Sequence, residues 1–105
     1  MANRDTTPMV EEAYENALAA IQAVMNDGDT TTSQRQAALA ALDKITVARN
    51  SFFVHNITAR TAFLNELATQ LGAVVASISA NPVGALLSQL HGAISGVNAA
   101  LASEG

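Results

Sequence analysis

The most restrictive feature of this sequence is a stretch from Leu67 to Ser103 that contains no Asp, Glu, Lys or Arg. Small residues recur four apart along it, and side chains at that spacing lie on one face of a helix. Such a face lets another backbone approach closely, so we predict a packing surface rather than a reaction site. The candidate assembly interface is formed by two rows: Gly72, Ala76 and Ala80, followed by Gly84, Ser88, Gly92, Gly96 and Ala100.

Composition agrees with a chain that packs against copies of itself. Charged residues make up 13% of the 105 residues, about half of the usual quarter in a soluble domain. The net charge is −4 and the five basic residues are scattered, so we expect no nucleic-acid partner. The length suits a single domain, 1–105, with residues 1–6 as a flexible tail.

Helical periodicity runs through the whole sequence and predicts an all-α fold. A first helix is expected at about 8–26, because Thr7 and Pro8 suit a helix start and Asn26-Asp27-Gly28 suits a left-handed stop. Ser33 and Gln36 have the spacing of a capping box for the next helix.

The middle of the chain predicts one long helix, from about 33 to 80. Neither Gly nor Pro occurs between Asp29 and Leu71, and a stripe that includes Leu39, Leu42 and Ile57 advances by threes and fours. The alternative is a break near Asn50-Ser51, which would give a compact four-helix bundle instead.

A last helix is expected at about 82–102, because Asn81-Pro82 ends one helix and starts another. The two shorter helices would then fold back on the long one and each would cover half of it. This predicts an elongated, hairpin-like plank with apolar and small-residue strips on its outer faces. Planks of this kind stack, so the expected partner is the protein itself or a close paralogue, in a homo- or hetero-polymer.

Residues that could support chemistry are few. No nucleophile, phosphate-loop or dinucleotide motif is present, and the two histidines lack ligand spacing, so we expect no enzyme, no metal and no cofactor. Arg49 and Arg60 lie in the stripe and either extend along it to solvent or pair with a neighbouring subunit. Clustered acids and histidines are the candidate pH-sensing groups: Glu11, Glu12, Glu15, His55, Glu66 and His91.

Two other classes of protein compete with a polymer subunit. The charge-free C-terminal region is compatible with a membrane-active protein, pore-forming or holin-like, although no Lys or Arg flanks it. A small helical adaptor or a secretion-filament subunit would also account for the helices. The N-terminus lacks an early apolar core and carries Asp5, Glu11 and Glu12, which favours a cytoplasmic location.

The segment between Phe53 and Gly72 resembles the R-body structural proteins, the Reb or "killing trait" family. The matching positions are Asn56, Asn65, Thr69, Gln70 and Gly72, while Ala59 to Phe63 replaces the family's glutamine-rich middle. The resemblance implies a bacterial protein that polymerises into a ribbon coiled in the cytoplasm. Such ribbons unroll into long tubes and disrupt membranes of a host that has taken up the cell.

Overall fold

Four α-helices make up the part of the chain that this computed structural model describes, residues 7–50, 57–80 and 83–104. They are α1 (Thr7–Asn26), α2 (Thr32–Asn50), α3 (Ile57–Ala80) and α4 (Leu86–Glu104). The all-α prediction is confirmed, and the first helix starts within one residue of the predicted position. The predicted tail, 1–6, lies outside the described residues.

Side chains, rather than a left-handed glycine, end α1. The Asp27 carboxylate accepts a hydrogen bond from the Asp29 amide (2.8 Å). The buried Thr30 hydroxyl lies 3.0 Å from the Val24 carbonyl oxygen and 2.8 Å from that of Asp27, and so satisfies the open end of the helix. Gly28 does not have a positive φ, so the predicted left-handed stop is wrong.

The start of α2 has a capping box, two residues before the predicted one. The backbone N–H of Gln34 donates to Thr31 Oγ1 (3.1 Å), and the backbone N–H of Thr31 donates to the side-chain Oε1 of Gln34 (2.9 Å). Gln34 Nε2 also donates to the Ser77 carbonyl oxygen near the end of α3 (3.2 Å). The start of α2 therefore lies beside the end of α3, which makes these helices antiparallel. The prediction of Ser33 and Gln36 as the box is wrong.

Two ion pairs fix the directions of the other helices. Arg49, at the end of α2, pairs with Glu11, at the start of α1. Arg60, at the start of α3, pairs with Glu104, at the end of α4. Each helix is thus antiparallel to the one before it, and α4 also packs on α1. The result is an up-down-up-down bundle with principal extents of 49 × 23 × 17 Å.

The single long helix from 33 to 80 is wrong, and so is the plank built on it. The chain reverses direction between Asn50 and Ile57, close to the alternative break at Asn50-Ser51; residues 51–56 themselves lie outside the described part. A stripe that advances by threes and fours is equally suited to two helices that face one core. The β-branched and aromatic run around the reversal has weak helix propensity, and folding back lets the two apolar stripes cover each other.

The core of the bundle pairs small residues with large ones. On α1 and α2 the buried positions include alanines at helical spacing, and on α3 they are mostly large aliphatic residues: Ala13, Ala17, Ala20, Ala38 and Ala41 against Leu64, Leu67, Leu71, Val74 and Ile78. The alanines allow α1 and α3 to touch across the centre, where the Tyr14 and Phe63 rings lie 5.7 Å apart. In the described part, α2 and α4 make no such contact, so the bundle is flattened.

The stripe predicted on α2 is displaced by about one residue. Leu39 is exposed and Leu42 only half-buried, whereas Ala38, Ala41 and Ile45 are buried. The total accessible surface is 5709 Å², close to the about 5,500 Å² expected of a folded monomer of this mass. One copy therefore buries its core without a partner.

Candidate assembly surface

The first predicted row lies on the outer face of α3. Gly72, Ala76 and Ala80 are all exposed, and nothing from another helix covers them. A Cβ atom built at Gly72 would meet no atom within 4 Å. The row is thus free of any role in the bundle core.

The second predicted row divides into three parts. Gly84 precedes α4 and has a φ of 48°, so it forms a turn that favours glycine and is not on the helix face. Ser88 and Gly92 are exposed on α4, and Gly96 is half-buried. Ala100 is buried in the bundle. The prediction of a helix from 82 is wrong, because α4 begins at Leu86; Asn81 and Pro82 lie outside the described residues.

Together the outer faces of α3 and α4, with Gly84 and Ala85 just before α4, form what we call the small-residue surface. It comprises the exposed residues of this region: Thr69, Gly72, Ala73, Ala76, Ser79, Ala80, Gly84, Ala85, Ser88, Gln89, His91, Gly92, Ser95, Asn98, Ala99 and Ala102. Most are Gly, Ala or Ser, which lose little or no side-chain entropy when they are buried. The surface contains no Asp, Glu, Lys or Arg. It is uncharged, and ordering its side chains costs little entropy.

The charges of the protein lie mainly on the other helices. Among the described residues, α1 has three acids and α2 has three basic residues and one acid: Glu11, Glu12 and Glu15, then Arg35, Lys44, Arg49 and Asp43. This contrast distinguishes one side of the bundle from the other. A face without charge has less water to lose on contact than a charged one.

Both arginines of the predicted stripe pair with acids of the same chain. Arg49 donates through Nε and Nη2 to the two carboxylate oxygens of Glu11 (3.1 and 2.6 Å), and its guanidinium lies 5.8 Å from the Tyr14 ring centre. Arg60 Nε donates to Glu104 Oε2 (2.9 Å). These pairs follow from the antiparallel order of the four helices, which the stripe pattern did not predict.

The candidate pH-sensing residues do not form one cluster. Glu11 is held by Arg49, while Glu12 and Glu15 are exposed on α1. Glu66 Oε2 accepts a hydrogen bond from Gln70 on its own helix (2.8 Å). His91 is exposed within the small-residue surface, beside Gly92, and His55 lies outside the described residues.

A groove between α2 and α3 was missed by the sequence analysis. It has a volume of about 490 Å³, and its lining combines the apolar Val47, Ala48 and Phe63 with the charged Asp43, Lys44 and Glu66. The signal that could have revealed it is the spacing of Ala38 and Ala41. If those alanines are taken as the core positions of α2, Leu39 and Val47 face outward.

None of the described helices is long and apolar enough to cross a membrane. In the same part of the chain, no group of three or more His, Asp or Glu side chains is arranged to hold a metal ion. No protein-family model matches the chain, and neither a curated protein nor a solved structure matches it.

Proposed function

We propose that this protein is a non-enzymatic structural subunit that assembles with copies of itself through the small-residue surface. The observation that carries the proposal is the pair of exposed helical glycines, Gly72 and Gly92. A Cβ atom at either would meet nothing within 4 Å, so the bundle does not need glycine there. Glycine in a helix costs about 1 kcal/mol relative to alanine. Close approach of a second copy accounts for that cost.

The form of the assembly is proposed as a polymer or ribbon. Association through Gly, Ala and Ser removes few rotamers, so a contact of modest area can be stable. The resemblance to R-body proteins supports a ribbon, and it adds the proposal that acid alters the ribbon's shape. The expected partners are identical copies or close paralogues.

Replacing Gly92 with a large residue tests the proposal. Gly92→Leu adds a side chain to an open helical position, so we expect helicity equal to or above that of the wild type by circular dichroism. The same side chain would hold a second backbone away, so assembly should be lost. Size-exclusion chromatography with light scattering measures the mass of the particles, and negative-stain microscopy shows their form.

The matched control is Ala19→Leu, which adds a side chain of the same final size on the exposed face of α1. It should assemble like the wild type. A wild-type protein that remains monomeric over the accessible concentration range would rule out the proposal, as would ordered polymers of unchanged spacing from Gly92→Leu. Dye release from liposomes by a monomer at neutral pH would favour the membrane-active alternative.

A further inference from the structure

The turn between α1 and α2 contains an Asp-Gly dipeptide, Asp27-Gly28, in which the fold does not require the glycine. Gly28 does not have a positive φ, and a Cβ atom built on it would meet nothing within 4 Å. Because glycine has no side chain, nothing at residue 28 shields its backbone nitrogen from the carboxyl group of Asp27. The pair therefore combines an electrophilic side chain with an unhindered backbone nitrogen.

The Asp27 side chain is folded back along the chain toward that nitrogen. Its Oδ1 accepts a hydrogen bond from the backbone N–H of Asp29 (2.8 Å), which makes an Asx turn. The ring closed by this hydrogen bond contains the Asp27–Gly28 peptide, so the carboxyl group is held beside the Gly28 nitrogen. Holding two reacting groups together within one chain replaces a bimolecular encounter with a unimolecular step.

The Gly28 N–H is also the one backbone donor of this turn that the fold does not use. The backbone N–H groups on either side of it donate to Ala23 O, Asp27 Oδ1 and Asp27 O, from Asp27, Asp29 and Thr30 respectively. Gly28 is exposed, and no described residue accepts a hydrogen bond from its N–H. Water can thus take up the Gly28 proton without breaking any hydrogen bond of the turn.

The carbonyl group of the same peptide is polarised by its neighbours. The Thr30 hydroxyl lies 2.8 Å from the Asp27 carbonyl oxygen, which the Thr30 N–H also approaches (3.4 Å). Arg35 Nη1 in turn donates to Thr30 Oγ1 (3.3 Å). A donor that is itself bonded to a cation draws more electron density from its acceptor. Since the Asp27 C=O and the Gly28 N–H belong to one amide, loss of the N–H proton becomes easier.

We propose that Asp27-Gly28 is a modification site, at which Asp27 converts spontaneously to isoaspartate. The Gly28 nitrogen attacks Asp27 Cγ and forms a bond to it, and the carboxyl OH leaves as water with the N–H proton. The product is a succinimide ring. Water opens this ring at Cγ, which restores aspartate, or at the backbone carbonyl, after which the chain runs through Cγ. The water released in the first step balances the water taken up in the second, so no other reactant is needed.

The isomerised chain loses the contacts that end α1. One carbon is added to the backbone between residues 27 and 28, so the hydrogen bond from Asp29 is lost and Thr30 moves away from the Val24 and Asp27 carbonyl oxygens. The last turn of α1 is then left without its cap. This inference goes beyond the proposed function and does not depend on it, because the turn is not part of the small-residue surface.

The test follows isoaspartate in the full chain during storage at neutral pH and physiological temperature. Trypsin releases residues 5–35 as one peptide, since cleavage follows Arg4 and Arg35. Electron-transfer fragmentation then locates isoaspartate within it, and an isoaspartyl methyltransferase measures its amount. We expect isoaspartate at residue 27 and not at Asp29, which is the internal control. A chain without isoaspartate at residue 27 after prolonged storage would overturn the proposal.

Gly28→Ala is the matched variant, because the structure accepts alanine there without strain. Its methyl group hinders the attack on Cγ, so the rate should fall at least tenfold while circular dichroism is unchanged. The isomerised wild type, separated by ion exchange, should unfold at a lower urea concentration than the fresh protein, and stored Gly28→Ala should not. Equal rates in wild type and Gly28→Ala would contradict attack by the Gly28 nitrogen.

The contribution of the fold is measured against a synthetic peptide of residues 22–33. The folded chain should isomerise at least as fast as the peptide, because the turn positions the carboxyl group and polarises the amide. Thr30→Val removes the hydroxyl donor and should slow the reaction several-fold, whereas Thr30→Ser keeps the donor and should react like the wild type. A folded chain that reacts tenfold more slowly than the peptide would show that the turn protects Asp27, and the proposal would fail.

Discussion

At the scale of single residues, the glycines of this protein have two different roles. Gly84 has a φ of 48° in the turn before α4, a conformation that L side chains rarely adopt. Gly72 and Gly92 have ordinary helical backbones and open space where a Cβ would be. One glycine is needed by the fold of a single copy, and the other two are not.

This difference predicts opposite effects of the same substitution on stability. Gly72→Ala and Gly92→Ala should each raise the free energy of unfolding by about 0.5–1 kcal/mol, because alanine is the better helix former. Gly84→Ala should lower it by about 1–2 kcal/mol, because a Cβ is strained at that φ. Urea denaturation at concentrations where the chain is unassembled measures all three. A loss of stability at Gly72 or Gly92 would show that the bundle does use those glycines.

At the scale of helices, two ion pairs close the same end of the bundle but differ in burial. The Arg60 and Glu104 side chains are 10% and 4% exposed, and the Arg49 and Glu11 side chains are 35% and 33% exposed. Removing one partner of a buried pair leaves the other charge without compensation. At an exposed pair, water replaces the lost partner.

Matched Glu→Gln variants should therefore differ in stability. Glu104→Gln is expected to lower the free energy of unfolding by about 3 kcal/mol, and Glu11→Gln by less than about 1 kcal/mol. Thermal or urea unfolding gives both values. The double variant Arg60→Met with Glu104→Leu should recover most of the loss, because no buried charge is left over. Similar losses for the two single variants would contradict the assignment of Glu104 as buried and paired.

At the scale of the whole molecule, charge is divided between the two sides of the bundle. The acids at Glu11, Glu12 and Glu15 lie on α1, while the small-residue surface has His91 as its single titratable group among the described residues. A charge introduced beside Gly92 would therefore enter an otherwise uncharged surface.

This division predicts that a fixed positive charge at position 91 weakens assembly. His91→Lys would bring copies of a charged side chain into an otherwise uncharged contact. The assembled fraction at neutral pH, followed by light scattering, should be lower for His91→Lys than for the wild type, and His91→Gln should assemble like the wild type. Equal assembly of all three proteins would exclude position 91 from the contact.

The shape of the assembly is predicted to respond to the acids of α1. Neutralising them on one side of a ribbon would change its curvature, so a triple Glu→Gln variant at 11, 12 and 15 should hold the low-pH form at neutral pH. Negative-stain microscopy between pH 7 and 4.5 shows the form. If the triple variant and the wild type transform at the same pH, the response lies with His55, Glu66 or His91 instead.

Sequence periodicity alone determined that the chain is helical, and it located α1 and most of the buried face of α3. These features depend on residues close together in the chain, where the spacing of apolar side chains and the start signals at Thr7 and Pro8 are sufficient. The uncharged character of the small-residue surface is also plain in the sequence from Leu67 to Ser103.

Only the tertiary structure decided between one long helix and two. An apolar stripe has the same spacing whether it lies on one continuous helix or on two helices that face each other. The fold is decided by which of these two arrangements buries more of the stripe. In the four-helix arrangement the buried positions of α2 include Ala38 and Ala41, because α1 lies close enough to require small residues there. The same arrangement paired Arg60 with Glu104, far apart in sequence, and turned Leu39 outward to solvent. These outcomes depend on contacts between helices, which no local pattern specifies.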